Sequence, residues 1–297
     1  MTNALLRKSR IIVFPLERRS ERPAGLPVAT RRDQEEALIT RPHPPLPLHP
    51  AGGLELRGIS KSFRVDGKQL DVLNPMDLHF APGAFTTLLG PSGCGKSTIL
   101  RLIAGLERPD SGEMNLDGKP ITGPGVERGL VFQEHRLLPW FTVEKNVGLA
   151  LEQRGVPKSE RARLVEEHIA LVGLKGFERA FPRQLSGGMA QRGAIARALA
   201  HRPEVLLLDE PLGALDSLTR AKLQQELLRI WRHERVTMIM VTHDIEEAVF
   251  LSDRIVVMSP RPGGVQAVIP VDLPHPRNRI DPAFGVVRQA VLDALAV

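Results

Sequence analysis

The chain has 297 residues, with 40 Lys and Arg against 34 Asp and Glu, a formal net charge of +6 and 42% hydrophobic residues. That length allows one large domain or two small ones with a substantial core, and no run approaches the roughly 18–20 apolar residues of a membrane-spanning helix. The single cysteine, Cys94, rules out an intrachain disulfide and suits a reducing cytoplasm, while the absence of Tyr and an aromatic content of 4% argue against a base-stacking nucleic-acid platform.

In chain order, residues 1–53 read as a tail. They carry nine Arg or Lys and five Asp or Glu, which leaves the other 244 residues close to neutral. Arg41–Pro50 holds five prolines, a pattern that forbids helix and favours extended backbone. The apolar island Ile11–Phe14 is too short for a secretory core and is followed by Arg18 and Arg19. A disordered, weakly basic extension is expected, with partner or membrane-surface binding as the alternative.

From Leu54 onward, apolar runs alternate with helical patterns. Strands are predicted at Leu54–Ile59, Phe85–Leu89, Gly129–Phe132, Val205–Leu208, Thr237–Val241 and Arg254–Met258. Helices are predicted at Lys96–Leu106, Lys158–Val172, Met189–Ala200 and Leu218–Arg232, the last capped by Asp216. Continuous apolar strands between helices imply a largely parallel sheet covered on both faces. Residues 142–185 read as an all-helical insertion. Residues 277–297 end in an amphipathic pattern, Val286–Leu295, which fits either a dimer contact or a docked terminal helix. The domain itself is expected to span 54–276.

The sharpest motif is Gly90-Pro91-Ser92-Gly93-Cys94-Gly95-Lys96-Ser97-Thr98, which fits G-x-x-x-x-G-K-[ST] between a strand and a helix. Glycines let the backbone wrap a phosphate so that several N–H groups and the helix N-terminus face the anion. Lys96 is then placed for the β- and γ-phosphates and Ser97 for Mg²⁺. Val205–Leu208 is followed by Asp209 and Glu210 at the strand end where ligands gather in an α/β sheet. Asp209 suits Mg²⁺ and Glu210 suits activation of a water. His243 follows another apolar strand and is positioned for a γ-phosphate.

Leu185-Ser186-Gly187-Gly188-Met189 opens a helix about two dozen residues before the acidic strand. Together with Gln133, Ala214-Leu215-Asp216, Thr242-His243-Asp244 and the phosphate loop, it resembles the nucleotide-binding subunit of an ABC transporter over about residues 54–270. The resemblance implies an ABC ATPase fold of the P-loop NTPase class: an α/β core with an antiparallel β subdomain and an all-helical insertion. It further implies a head-to-tail homodimer, with ATP between the phosphate loop of one copy and Ser186, Gly187 and Gly188 of the other. By the same resemblance Gln133 links Mg²⁺ and water to a transmembrane permease, Asp216 belongs to a loop crossing the dimer interface, and Phe63 stacks on adenine, a core Phe being the alternative. A periplasmic solute-binding protein completes such a complex, no nucleic acid takes part, and the subunit sits peripherally on the cytoplasmic face of the inner membrane. Two positions depart from the family pattern: Met189 replaces the usual Gln, and Phe63 stands where Tyr is common.

Gly123–Gly129, Val131–Trp140, Glu210–Asp216 and Leu218–Arg220 are similar to importers for nitrate, taurine and aliphatic sulfonates. The implied activity is ATP hydrolysis that drives import of a small oxyanion, an aliphatic sulfonate first, with nitrate, taurine or bicarbonate as alternatives. Leu137–Trp140 falls where such subunits receive a permease coupling helix; a packed hydrophobic turn is the alternative. A soluble, non-transport ABC ATPase is the rival class, and the chain has neither the coiled-coil insertion nor the tandem cassettes typical of it.

Overall fold

The computed structural model describes residues 52–213 and 215–296. The tail expected over residues 1–53 lies outside the described residues except for Gly52 and Gly53. The Gly53 N–H donates to Asp117 Oδ1.

The first sheet is antiparallel, in the order β2-β1-β4-β5: β1 Leu54–Val65, β2 Lys68–Phe80, β4 Ser111–Leu116 and β5 Lys119–Pro120. Its tight turns are Asp66-Gly67 and Asp117-Gly118, all four residues at positive φ, the backbone that a two-residue hairpin with right-handed twist demands. β1 runs six residues beyond its predicted end because irregularities around Ile59–Ser62 break the alternation that would mark it. β2 escapes a sequence reading because Pro75 interrupts it; Pro75 is tolerated because β2 lies at the sheet edge.

The second sheet has the order β10-β9-β3-β8-β7-β6: β3 Phe85–Leu89, β6 Arg128–Val131, β7 Val205–Asp209, β8 Thr237–Thr242, β9 Arg254–Met258 and β10 Val265–Pro270. All neighbours pair in parallel except β9 and β10. Alternate residues serve two cores, as the period of two requires. Phe85, Leu206, Leu208, Met238, Met240 and Ile255 face the larger core with the helical segment. Leu88, Leu207, Ile239, Val241 and Val256 face the smaller one, beneath the antiparallel sheet and α1 (Lys96–Ile103).

The stretch 142–185 contains α2 Val143–Gln153, α3 Lys158–Leu171 and a 3₁₀ turn at Pro182–Gln184, with no strand. Asn146 is fully buried and ties the preceding loop to α2, its side-chain amide donating to the carbonyls of Leu138, Phe141 and Thr142. Then follow α4 Gly187–Ala200, α5 Ser217–Glu234 and α6 Ile245–Leu251. The C-terminal α7, Pro282–Leu295, begins with Asp281 as cap and Pro282 at the first helical position. It docks on its own chain: Phe284 and Val291 are buried in the larger core, and Gln266 Nε2 donates to the Ala294 carbonyl at 2.7 Å. The segment leading to it is anchored by Arg277, whose guanidinium donates to the carbonyls of Val249, Ser252, Val271 and Leu273. Burial lowers the Arg277 pKa to about 10, opposed by Asp253 and Asp272.

Candidate functional site

The phosphate loop leaves β3 at Gly90 and enters α1 at Lys96. Its glycines answer to close packing. A Cβ on Gly90 would lie 2.9 Å from the Met258 carbonyl oxygen, and Gly95, at φ 99°, has the Leu73 side chain where its Cβ would be. Lys96 is buried and its ammonium donates to the carbonyls of Gly90 at 2.7 Å and Pro91 at 2.8 Å. The cation is thus held over the loop it serves. Cys94 is buried in the smaller core, so its thiol faces away from solvent and only its backbone can line an anion cradle.

A clasp outside the motif supports this loop. The Gly263 N–H donates to the Val72 carbonyl, and the Asn74 N–H to the Gly263 carbonyl. A Cβ on Gly263 would stand 1.9 Å from the Cys94 carbonyl oxygen. Gly263 has no positive φ, so close approach alone makes glycine necessary.

The other functional side chains sit at the C-terminal ends of neighbouring strands, β3, β8 and β7. Ser97 Oγ donates to Asp209 Oδ1 at 2.7 Å. The Asp209 pKa is raised by burial and by the adjacent Glu210, against the Ser97 hydrogen bond. Glu210 has φ 45°, which turns the chain sharply, and Glu210 Oε2 is 3.3 Å from His243 Nδ1. A non-glycine residue in the left-handed region is strained, and such strain concentrates at functional sites. His243 is 61% exposed and free to meet a ligand. Gln133 reaches the same place: a Cβ on Gly213 would be 3.6 Å from both Gln133 Nε2 and Glu210 Oε2.

Two predicted site elements stand apart. Ser186 caps α4, accepting from the Met189 N–H at 3.3 Å, and the turn packs on the 215–219 segment through Leu215 and Thr219. No hydrogen bond among the described residues joins Ser186–Gly188 to the phosphate loop. Phe63 is half-buried at the rim of the smaller core, with the Lys61 ammonium 5.1 Å from its ring centroid.

Sequence reasoning passed over Glu247 and Gly263. Glu247 is buried beside His243 and accepts from Thr242 Oγ1 at 2.8 Å; its N–H donates to Asp244, the cap of α6. Asp244 and Glu247 have capping-box spacing, which was the available signal. Gly263 had none, because its partners are distant in sequence.

A strand–loop–helix phosphate cradle with an acidic strand end beside it defines a nucleotide-hydrolase site of the phosphate-loop class. A family model described as "ABC transporter" matches residues 73–213. The aliphatic sulfonates import ATP-binding protein of Bacillus subtilis is 51% identical over 232 residues, covering 78% of this chain and 90% of the relative. An uncharacterized ABC transporter ATP-binding protein of Methanocaldococcus jannaschii is 49% identical over 242 residues, 82% of this chain and 91% of that one. Among solved structures, an ATP-binding cassette in a dimeric post-hydrolysis state with ADP and Pi superposes with TM-score 0.66 at 32% identity, covering 74% of this chain and 99% of that one. The chain belongs to the ATP-binding subunits of ABC transporters, and it is an ATP-binding ATPase.

Proposed function

We propose that this chain energises import of aliphatic sulfonates. The observation that carries the catalytic part is the convergence of Lys96, Ser97, Asp209, Glu210 and His243 at one sheet edge. The solute rests on lineage, because 51% identity to a sulfonate import subunit extends over 90% of that relative.

Each residue then has a distinct task. Lys96 exchanges its two carbonyl partners for the β- and γ-phosphates of ATP, which the backbone N–H groups of Gly93–Ser97 cradle. Glu210 accepts the proton of the attacking water, and His243, 3.3 Å from Glu210, orients the γ-phosphate. Ser97 Oγ and Asp209 are hard oxygen donors 2.7 Å apart and suit Mg²⁺, with Gln133 at the same edge. The fit is supported by Asp209 itself, a carboxyl whose burial and acidic neighbour disfavour its charge until a cation sits beside it. Bound there, Mg²⁺ neutralises charge on the phosphates. Ser186–Gly188 serve the nucleotide of a second copy, and Phe63 offers a ring face to adenine.

The partner reading has its own support. A cleft of about 510 Å³ lies between the 124–130 segment, Leu138, Leu149 and Arg197, and Trp140 is 66% exposed nearby in sequence. On this reading the face receives a permease helix. No helix among the described residues is long and apolar enough to cross a membrane, which fits a peripheral subunit held at the cytoplasmic face by permeases and fed by a periplasmic binding protein.

The test is transport by the full complex in vesicles, with ATP inside and labelled alkanesulfonate outside. Uptake competed by other alkanesulfonates and not by nitrate supports the assignment. Uptake of nitrate in place of sulfonate would reassign the solute, and ATP hydrolysis without uptake of any oxyanion would favour a non-transport ATPase.

A further inference from the structure

Arg220 lies one turn into α5, just beyond the capping Asp216. Its guanidinium faces in two directions. Nη2 donates to the Leu215 carbonyl at 3.0 Å, holding the segment before the helix. Nη1 is 3.7 Å from Asp244 Oδ2, and Nε is 3.7 Å from Glu247 Oε1. Those carboxylates follow His243 by one and four residues. Glu247 also accepts from the Thr242 hydroxyl, to which the Asp244 N–H donates in turn. One side chain therefore joins the backbone at Leu215 to Asp244 and Glu247, which follow His243, and through Glu247 to Thr242 before it.

The Leu215 segment has a second neighbour. A Cβ on Gly188 would come within 2.5 Å of the Thr219 side chain, and one on Gly187 within 3.7 Å of Leu215. A continuous packed series thus runs from the Ser186–Gly188 turn through 215–219 and Arg220 to His243, and on to Glu210. Without the guanidinium, Asp244 and the buried Glu247 lose their cationic partner, and the His243 turn keeps its own hydrogen bonds but loses its tie to the Leu215 carbonyl.

We propose that Arg220 is a positioning residue for hydrolysis: it fixes the His243 turn relative to the Leu215–Asp216 segment, so that seating of this segment and of the Ser186–Gly188 turn is felt at the γ-phosphate histidine. The inference rests on the site reading given above, in which His243 meets the γ-phosphate.

The experiment uses the full chain with ATP and Mg²⁺. Arg220→Ala should lower kcat by about tenfold to a hundredfold, the scale of a misplaced catalytic group, with KM for ATP within about twofold. In a double-mutant cycle with His243→Ala, read by single-turnover hydrolysis, the Arg220→Ala loss should vanish, because it acts through His243. The imidazole NMR signals of His243 in the nucleotide-free chain should move in Arg220→Ala. A wild-type kcat, an undiminished loss on the His243→Ala background, or unmoved His243 signals would each overturn the proposal. Glu210→Gln, measured alongside, tells the two readings apart. If it keeps wild-type turnover, the site assignment fails; if it blocks turnover while Arg220→Ala is silent, only the role of Arg220 fails.

Discussion

At the C-terminal edge of β3, β7 and β8, candidate site side chains meet within the chain: Lys96 donates to the carbonyls of its own loop, Ser97 donates to Asp209, and Glu210 lies 3.3 Å from His243. The turn at Ser186–Gly188 is built on the opposite plan. It caps its own helix, and the first-turn N–H groups of Gly187 and Gly188 have no intrahelical acceptor. The first region is pre-organised and complete within one copy. The second has no hydrogen bond to the phosphate loop among the described residues, and an anion at its first-turn N–H groups would have to come from elsewhere. On the function proposed above, the first region serves the chemistry and the second serves closure.

Glu210→Gln keeps shape and hydrogen bonding but removes the proton acceptor, so turnover should fall by about 10²–10⁴. ATP binding should survive, and size-exclusion chromatography with ATP and Mg²⁺ should show accumulated closed dimers. Dimers as scarce as in wild type would mean that closure and chemistry are not separable. Lys96→Ala attacks the preceding step: loss of charge-assisted contacts should weaken ATP binding by about ten- to a hundredfold and leave monomers, as read by calorimetry.

Gly263→Ala tests whether the loop is shaped from outside its motif. The methyl group must displace the Cys94 carbonyl, and overpacking of this kind costs about 1–3 kcal/mol. Thermal unfolding should register that loss, and the Kd for ATP should rise with it. Gly264→Ala, whose nearest contact would be 3.6 Å away, is the matched control and should change neither.

A smaller effect concerns pH. His275 lies against Trp231, and burial, with Arg277 and Arg232 nearby, lowers its pKa from 6.5 to about 4. The unfolded chain therefore binds the proton first, so stability is complete above about pH 6.5 and falls as pH drops toward 4. Replacing His275 with Phe should flatten that part of the stability curve; an unchanged slope would place the titration elsewhere. Least of all should follow from deleting residues 2–50: the proline-rich composition offers no apolar periodicity, and ATPase activity should stay within about twofold.

Much of this was legible in the sequence because the chemistry is local. β3, β7, β8 and β9 are short apolar runs with punctuated ends; Asp209 closes β7, Glu210 and His243 come right after β7 and β8, and Lys96 and Ser97 lie just past the glycine loop after β3. What stayed hidden is what local pattern cannot encode. β2 carries Pro75 and an irregular register, and α6 has seven residues, too few for a helical period to show. Glu247 reads as one more surface acid until Thr242 and Arg220 are seen around it.

The clasp at Gly263 bears on how much chain a working nucleotide site needs. Every recognisable motif is complete by Asp244, and the matched family region ends at residue 213. Yet the backbone at Cys94 rests on Gly263, which is itself held by Val72 and Asn74. A fragment trimmed after Met258 would keep every motif and lose the surface on which the phosphate loop lies. The minimal ATP-binding unit of this chain is therefore longer than its set of motifs, and it extends at least to Gly263, just before β10.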